Sequence, residues 1–173
     1  MTDVTIRQAE PDDDLTDLPA MQIAAGALFR ELGMDLVADG RAPELSEFEA
    51  VRTRGNLIVA ASREGAYVGF LRTCPLDGAL HVEQVTVAPG SGRRGIGRQL
   101  MRAAEQLALR QGFTRMTLTT YRDVPFNGPS YEQLDWMALN DEDLTDGLAT
   151  ERRGEVAAGL DQWPRIAMGK SLR

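Results

Sequence analysis

The stretch from Leu80 to Gln111, LHVEQVTVAPGSGRRGIGRQLMRAAEQLALRQ, constrains the fold more than any other part of the chain. It opens as a strand: Val82, Val85 and Val87 stand among His81, Gln84 and Thr86, a β-branched run suited to a pleated surface. Pro89 ends that run, and the glycine-rich GSGRRG from Gly90 to Gly95 makes a turn that ordinary side chains would obstruct. Ile96, Leu100, Ala103, Ala104, Leu107 and Leu109 then recur at helical spacing. This order of strand, basic loop and helix leaves the loop's backbone N–H groups at a helix N-terminus, where the macrodipole is positive. Such a terminus accepts phosphate. Arg93, Arg94 and Arg98 add full charges beside it, and arginine grips phosphate in two-point fashion. The ligand implied is a dianionic or larger phosphate.

Two patterns compete for the loop. Gly90-Ser-Gly92-Arg-Arg-Gly95 reads as G-x-G-x-x-G, the dinucleotide fingerprint. That fingerprint requires an acidic residue roughly 20 positions further on, closing the next strand. Here Arg115 opens a strand instead, and Asp123 comes too late, after a basic Arg122. Shifted by two, Gly92-Arg93-Arg94-Gly95-Ile96-Gly97 resembles the pyrophosphate loop of the GNAT acetyltransferases, whose pattern is Q/R-x-x-G-x-G/A. Gly92 departs from that pattern, standing where the family has Gln or Arg. A backbone cradle needs no side chain there, and Arg93 can stand in.

Composition narrows the classes. The 173 residues suffice for one domain with its own core. An apolar fraction of 43% with 26% charged residues is that of an ordinary soluble globular chain. The net charge of -7 argues against nucleic-acid binding, which needs a basic surface. It suits a cationic or amine-bearing small substrate, and it equally serves plain solubility. Cys74 is the only cysteine, so no intrachain disulfide forms; it reads as a buried structural thiol in a protein of a reducing compartment, the cytoplasm. No apolar run approaches the ~20 residues that span a bilayer, and the N-terminus lacks the pattern of a signal peptide. No Cys/His cluster offers a metal site.

Along the chain, Val4 and Ile6 begin a short strand. Asp12, Asp13 or Asp14 can cap the helix that follows, with Leu15, Leu18, Met21, Ile23 and Ala24 on its buried side and Pro19 near its start. FRELGMDLVADGRAP is loop-like, and a second helix opens at Glu44 or Ser46 and runs through Phe48 and Val51 until Gly55. Leu57–Ser62 and Tyr67–Cys74 are strands joined by a hairpin, and Pro75–Gly78 turns the chain into the run described first. Gly112 ends the long helix, and Thr114–Tyr121 is a strand, so that strand, helix and strand make a right-handed crossover between a parallel pair. Asn127 can cap a short helix from Pro129, Trp136–Leu139 is a short strand, a helix lies around Leu144–Ala158, and Pro164–Lys170 is the last strand.

A second motif strengthens the resemblance. Asn127-Gly-Pro-Ser-Tyr131-Glu-Gln-Leu134 is similar to the N-x-x-x-Y-x-x-L stretch that follows the fifth strand of GNAT enzymes. Asp135 and Trp136 stand where the family has Gly and Phe; Asp tolerates the turn conformation of a glycine. TTYRDVPFN and the closing Glu155…Gly159-Leu-Asp161…Arg165-x-Ala167-Met168 also resemble a bacterial branch of the family. The resemblance implies a single GNAT-type domain over 1–173 of the α/β class. Its sheet would be mixed and mostly antiparallel, of about six to seven strands, with a parallel pair splayed at the cofactor site and helices on both faces.

It also implies chemistry. A GNAT enzyme transfers an acetyl group from acetyl-CoA directly to an amine, which agrees with a chain that has one Cys, one His and no nucleophile elbow. The N–H groups and side chains of Arg93, Arg94, Gly95, Ile96, Gly97 and Arg98 would hold the pyrophosphate. The backbone of Val85 and Val87 would pair with the pantetheine arm as an added strand, with the Val85 N–H polarising the thioester carbonyl. Asn127 would contact the cofactor, Tyr131 would protonate the departing thiolate, and Glu83 would take the proton of the acceptor ammonium, directly or through water. Period-two alternation sets Glu83 with His81, Val85 and Val87 on one strand face. A solvated Glu83 and a half-buried Tyr131 packed on the sheet are the plain alternatives, and His81 reads as structural. The acceptor expected is a primary amine, of a small molecule ahead of a protein, with no nucleic acid, membrane or metal. Exposed strands near the C-terminus would let two copies pair as a homodimer. A non-catalytic CoA-binding or sensory module and a dinucleotide-binding oxidoreductase are the other readings.

Overall fold

The computed structural model describes residues 3–173. In chain order the elements are β1 (Val4–Gln8), α1 (Leu18–Gly26), α2 (Asp35–Ala38), α3 (Leu45–Thr53), β2 (Leu57–Ser62), β3 (Tyr67–Leu76), β4 (Ala79–Val87), α4 (Ile96–Arg110), β5 (Arg115–Tyr121), α5 (Gly128–Glu132), β6 (Met137–Ala138), α6 (Asp146–Ala157) and β7 (Arg165–Ser171). The strands follow the order β1-β2-β3-β4-β5-β7-β6 in one mixed sheet with helices around it. β4 and β5, joined through α4, are its parallel pair. The chain divides into two compact units, residues up to Thr73 with Gln84–Ala104, and Cys74–Glu83 with Glu105–Arg173.

In the first unit β1, β2 and β3 form an antiparallel ladder, with a bulge between Ala60 and Ala61. Leu15, Leu18, Phe48, Val51, Leu57, Val59 and Phe70 close one core over it, where Phe48 meets Phe70 edge to face at 5.0 Å. α3 starts with a capping box in which Glu44 and Glu47 serve each other's backbone N–H. The aspartates expected to cap α1 do other work. Asp13 grips Arg7 at 2.7 and 2.8 Å and accepts from the Glu10 N–H, Asp14 bonds Thr16, and Asp17 takes the cap position without a side-chain bond. Pro19 sits in the first turn of α1, where its missing N–H costs nothing. The expected buried face of α1 is corrected in its second half: Ile23 is 49% exposed and Ala24 faces solvent, while Leu15, Leu18 and the half-buried Met21 pack on the core. The loop expected after it holds a 3-10 turn, Ala27–Leu32, and the short α2. A Cβ on Gly69 would stand 2.8 Å from the Thr86 carbonyl oxygen and 3.3 Å from Leu100 Cδ1, so β3 needs a glycine there.

The second unit is built on β5 and β7, paired antiparallel from Arg115↔Ser171 to Tyr121↔Arg165. The parallel ladder with β4 covers Leu80↔Met116, His81↔Thr117 and Val82↔Leu118 and stops there, although β4 runs on to Val87 and β5 to Tyr121. β3 and β4 meet in a turn of Asp77 and Gly78, both at positive φ (47° and 78°), the geometry of a two-residue hairpin; β3 thus runs through Pro75, which had been expected in the turn. Asp77 then accepts from the Gly147 N–H at 2.6 Å, tying the start of α6 to that hairpin. The strand expected at Trp136–Leu139 shrinks to Met137–Ala138, for Trp136 turns into the core. Cys74 is half-buried, a correction to the buried thiol expected of it. In α4, which passes through both units, Leu107 and Ala108 are buried while Leu109 is exposed.

Candidate functional site

The segment after β4 spends its main-chain hydrogen bonds at its flanks. Ser91 N donates to Ala88 O at 2.8 Å, Gly92 N to Pro89 O at 3.4 Å, and Gln99 N to Gly95 O at 3.1 Å. Between them, from Arg93 to Arg98, no backbone N–H is bonded within the chain among the described residues. Two left-handed residues, Arg93 (φ 60°) and Gly95 (φ 74°), turn this backbone too sharply for any ladder to claim it. Gly92, by contrast, has φ -62° and needs no special freedom. Ile96 and Leu100 are buried and anchor the first turns of α4, while Arg93, Arg94, Gly95 and Arg98 are exposed and Gly97 is half-buried. Unbonded N–H groups, the positive end of a 15-residue helix and three solvent-facing guanidiniums are the donor set a diphosphate requires. Val85 and Val87 precede this loop on β4 as half-buried residues flanking a buried Thr86. The Gln84 amide donates to the Val85 carbonyl at 3.3 Å and to the Thr86 hydroxyl at 3.1 Å.

The remaining candidates belong to the second unit. Tyr131 lies on α5 at an edge of the core, its ring 6.2 Å from that of the buried Trp136. Burial pushes its hydroxyl up to about 12, so the phenol keeps its proton across the physiological range. Asp135 takes φ 65°, supplying the left-handed turn that a glycine would. Trp136 N and Leu134 N then both donate to the Tyr131 carbonyl, at 3.2 and 2.8 Å, which fixes the exit of α5. Asn127 precedes α5 but makes no side-chain cap; its amide donates to the Phe126 carbonyl at 3.1 Å. The cap expected of it is absent because its backbone sits at φ -115°, ψ -113°, away from the extended geometry a capping side chain uses. Glu83 is exposed on β4.

His81, two residues before Glu83, is 5% exposed. Its Nδ1 lies 2.9 Å from the Thr117 hydroxyl on β5. Burial holds its imidazole below the ordinary value, while Glu83 and Glu155 pull the other way. Around it the unit carries a polar lattice that no spacing in the sequence announces. Arg165 on β7 holds Glu155 of α6 in a two-point grip at 3.0 and 3.1 Å, and Thr119 of β5 donates to the same carboxylate. Arg152 bonds both Glu155 and Asp161, and the Arg165 guanidinium lies 4.3 Å over the Tyr121 ring. Burial alone would raise the Glu155 carboxyl, but the bonds from Arg165 and Thr119 outweigh it and leave it below its usual value. Arg165 and Glu155 stand ten residues apart in sequence, and only the return of the chain along β7 brings them together.

Among the described residues no group of three or more His, Cys, Asp or Glu could hold a metal ion, and no helix is long and apolar enough to cross a membrane. Residues 25–136 match the profile of the acetyltransferase (GNAT) family. The chain is 28% identical over 162 residues to a mycothiol acetyltransferase of Geodermatophilus obscurus, covering 90% of this chain and 48% of that protein. It thus spans about half the length of this curated relative. Its fold superposes with a TM-score of 0.71 on a GNAT-family acetyltransferase of Staphylococcus aureus, at 14% identity, covering 98% of this chain and 99% of the other. It superposes with a TM-score of 0.69, at 15% identity, on an N-acetylglutamate synthase of Neisseria gonorrhoeae complexed with coenzyme A and N-acetyl-glutamate, covering 98% of this chain and 35% of the other.

Proposed function

The chain belongs to the acetyltransferase (GNAT) family, and on that premise we propose that its 173 residues act as one N-acetyltransferase domain, moving an acetyl group from acetyl-CoA to a primary amine. The run of unbonded N–H groups from Arg93 to Arg98 carries this reading. They receive the pyrophosphate, and Arg93, Arg94 and Arg98 add charge that bulk water only partly screens. Val85 and Val87 offer backbone groups to the pantetheine arm, the Val85 N–H polarises the carbonyl to be attacked, and Asn127 helps seat the cofactor. When bound, acetyl-CoA supplies the activated acetyl thioester.

Tyr131 keeps its proton through the working range and donates toward the departing sulfur, and its burial strengthens the hydrogen bond. Glu83, exposed on β4, receives the proton of the acceptor ammonium. The acidic balance of the chain favours a cationic, small-molecule acceptor. A single cysteine suits the cytoplasm, and the C-terminal strands suit pairing of two copies.

The test has two parts. CoA at a hundredfold excess over its Kd should add ~2.7 kcal/mol of stability and raise Tm by about 5–10 °C. NAD should leave Tm where it is, and Arg94→Ala should remove most of the CoA shift. A panel of polyamines, amino acids, aminosugars and lysine peptides, followed by release of free thiol, then identifies the acceptor. A Tm raised by NAD alone would overturn the reading. CoA binding with no thiol release from any amine would reduce the protein to a binding module.

A further inference from the structure

Lys170 is the only lysine among the 19 Lys and Arg residues of the chain. It lies near the end of β7, opposite Met116 of β5. Its side chain is 17% exposed, and so nearly is its partner on α4: Glu105, 20% exposed, accepts from Nζ at 2.7 Å. Nζ donates a second bond, also 2.7 Å long, to the carbonyl oxygen of Leu134. That carbonyl closes the helix that carries Tyr131. Asp135 N donates to Glu132 O at 3.1 Å and Trp136 N to Tyr131 O at 3.2 Å, with Asp135 at φ 65°. These are the paired bonds of a Schellman ending, and the Tyr131–Trp136 ring contact at 6.2 Å is the apolar contact that accompanies one. The motif leaves the Leu134 carbonyl over. Among the described residues no backbone N–H reaches it, and the Lys170 ammonium takes that place.

Helices shorter than ~12–15 residues are marginal by themselves. The five residues of α5 therefore owe their placement to what their ends are tied to, and the N-terminal end has no side-chain cap. The charged tie is the one at Leu134. A lysine suits it, because a compact ammonium can aim one N–H at a carboxylate and another at a carbonyl, whereas a planar guanidinium is built to grip one group at two points. Resting on the acetyl-transfer reading, we propose that Lys170 is a positioning residue for Tyr131: its ammonium, steered by Glu105, fixes the Leu134 end of α5 and with it the direction in which the Tyr131 hydroxyl meets the departing sulfur. In the step it serves, the amine nitrogen bonds to the acetyl carbon and the thioester C–S bond breaks with its electron pair going to sulfur. The Tyr131 O–H gives that sulfur its proton, and the tyrosinate regains one from solvent. A shift of about 1 Å in the hydroxyl is enough to cost ~100-fold in this transfer.

A double-mutant cycle of Lys170→Met and Tyr131→Phe in the full chain tests this, with free-thiol release measured below the Tm of each variant on the panel amine that the wild type turns over fastest. Lys170→Met should lose about 10- to 100-fold in kcat. The KM for acetyl-CoA and the rise of Tm with CoA should not change, since Arg93 to Arg98 lie on another segment. In Tyr131→Phe no hydroxyl is left to aim, so adding Lys170→Met should cost less than about twofold more. Glu105→Gln, which leaves the ammonium on the Leu134 carbonyl, should lose several-fold in kcat with Tyr131 present and nothing in Tyr131→Phe, and it decides the matter if Lys170→Met does not fold. Wild-type kcat in Lys170→Met, or in Glu105→Gln where Lys170→Met does not fold, overturns the proposal. So does an equal loss with and without the Tyr131 hydroxyl, the mark of a lysine that only holds the fold together. Wild-type turnover in Tyr131→Phe removes the tyrosine from the reaction and this inference with it. Absence of turnover by the wild type on every amine instead overturns the acetyl-transfer reading beneath it.

Discussion

Gly128 opens α5 under the tightest backbone approach in its unit. A Cβ there would lie 2.5 Å from the Arg122 carbonyl oxygen, 3.1 Å from the Arg122 carbonyl carbon and 3.1 Å from the Tyr121 oxygen. All three are main-chain atoms at the end of β5, so no side chain can swing aside. The first distance is roughly 1 Å short of ordinary van der Waals contact. Gly128→Ala must therefore move α5 away from β5, at a cost of about 1–3 kcal/mol. For a chain of this size that lowers Tm by about 2–12 °C. Tyr131 rides on the same five-residue helix, and a misplacement of about 1 Å at a reacting group costs ~100-fold in rate. Arg93 to Arg98 lie on a different segment, so the CoA shift in Tm should persist. Gly154→Ala is the control: it sits inside α6 with nothing within 4 Å of an added Cβ, and it should stabilise by up to about 1 kcal/mol through helix propensity alone. Calorimetry and thiol release on both variants decide the matter. Wild-type Tm and turnover in Gly128→Ala would refute both the steric reasoning and the role given to α5.

Tyr131→Phe should lower kcat while leaving the Kd for acetyl-CoA near normal, measured by calorimetric titration and thiol release. Since its hydroxyl is pushed up to about 12, no fall in wild-type rate below about pH 10 should trace to its ionisation. Asp13→Asn should destabilise by about 1–3 kcal/mol, because it breaks the two-point bond to Arg7 at a carboxylate that is mostly buried. The Arg7 guanidinium holds the Asp13 carboxyl well below the usual carboxylate range. Its stabilisation is thus complete above about pH 4 and fades as pH falls below that. Urea midpoints of wild type and variant should differ at pH 7 and converge toward strong acid.

Local chemistry made much of this protein readable without coordinates. The strand, loop and helix from Leu80 to Gln111 rest on β-branching, glycines and a 3.6-residue period, all properties of neighbours in sequence, and they fold as β4, the loop and α4. The same holds for the start of α3, expected at Glu44 or Ser46 and found with Glu44 in the cap position, and for Asp135, a residue type that tolerates positive φ. Reading failed where one local partner had a stronger distant rival. Asp13 is a plausible cap by position, but Arg7 on β1 offers a charged two-point bond that a cap cannot match. Ile23 continues an apolar stripe, yet it is 49% exposed while Leu18 and Met21 of the same helix pack on the core.

By itself, then, the sequence determined the glycine-rich basic loop between β4 and α4, the order of strands and helices, and the family that order belongs to. A glycine-rich turn before an amphipathic helix has few folded solutions. Tertiary structure alone decided that Thr117 holds His81, that Arg165 and Glu155 lock β7 to α6, and that Gly128 must lack a side chain. These partners lie between 6 and 36 residues apart along the chain, and the spacing of side chains, which announced β4 and β5 as a parallel pair, does not encode the register that brings particular side chains together. Pairing is set by the burial of whole faces, and individual contacts follow from it.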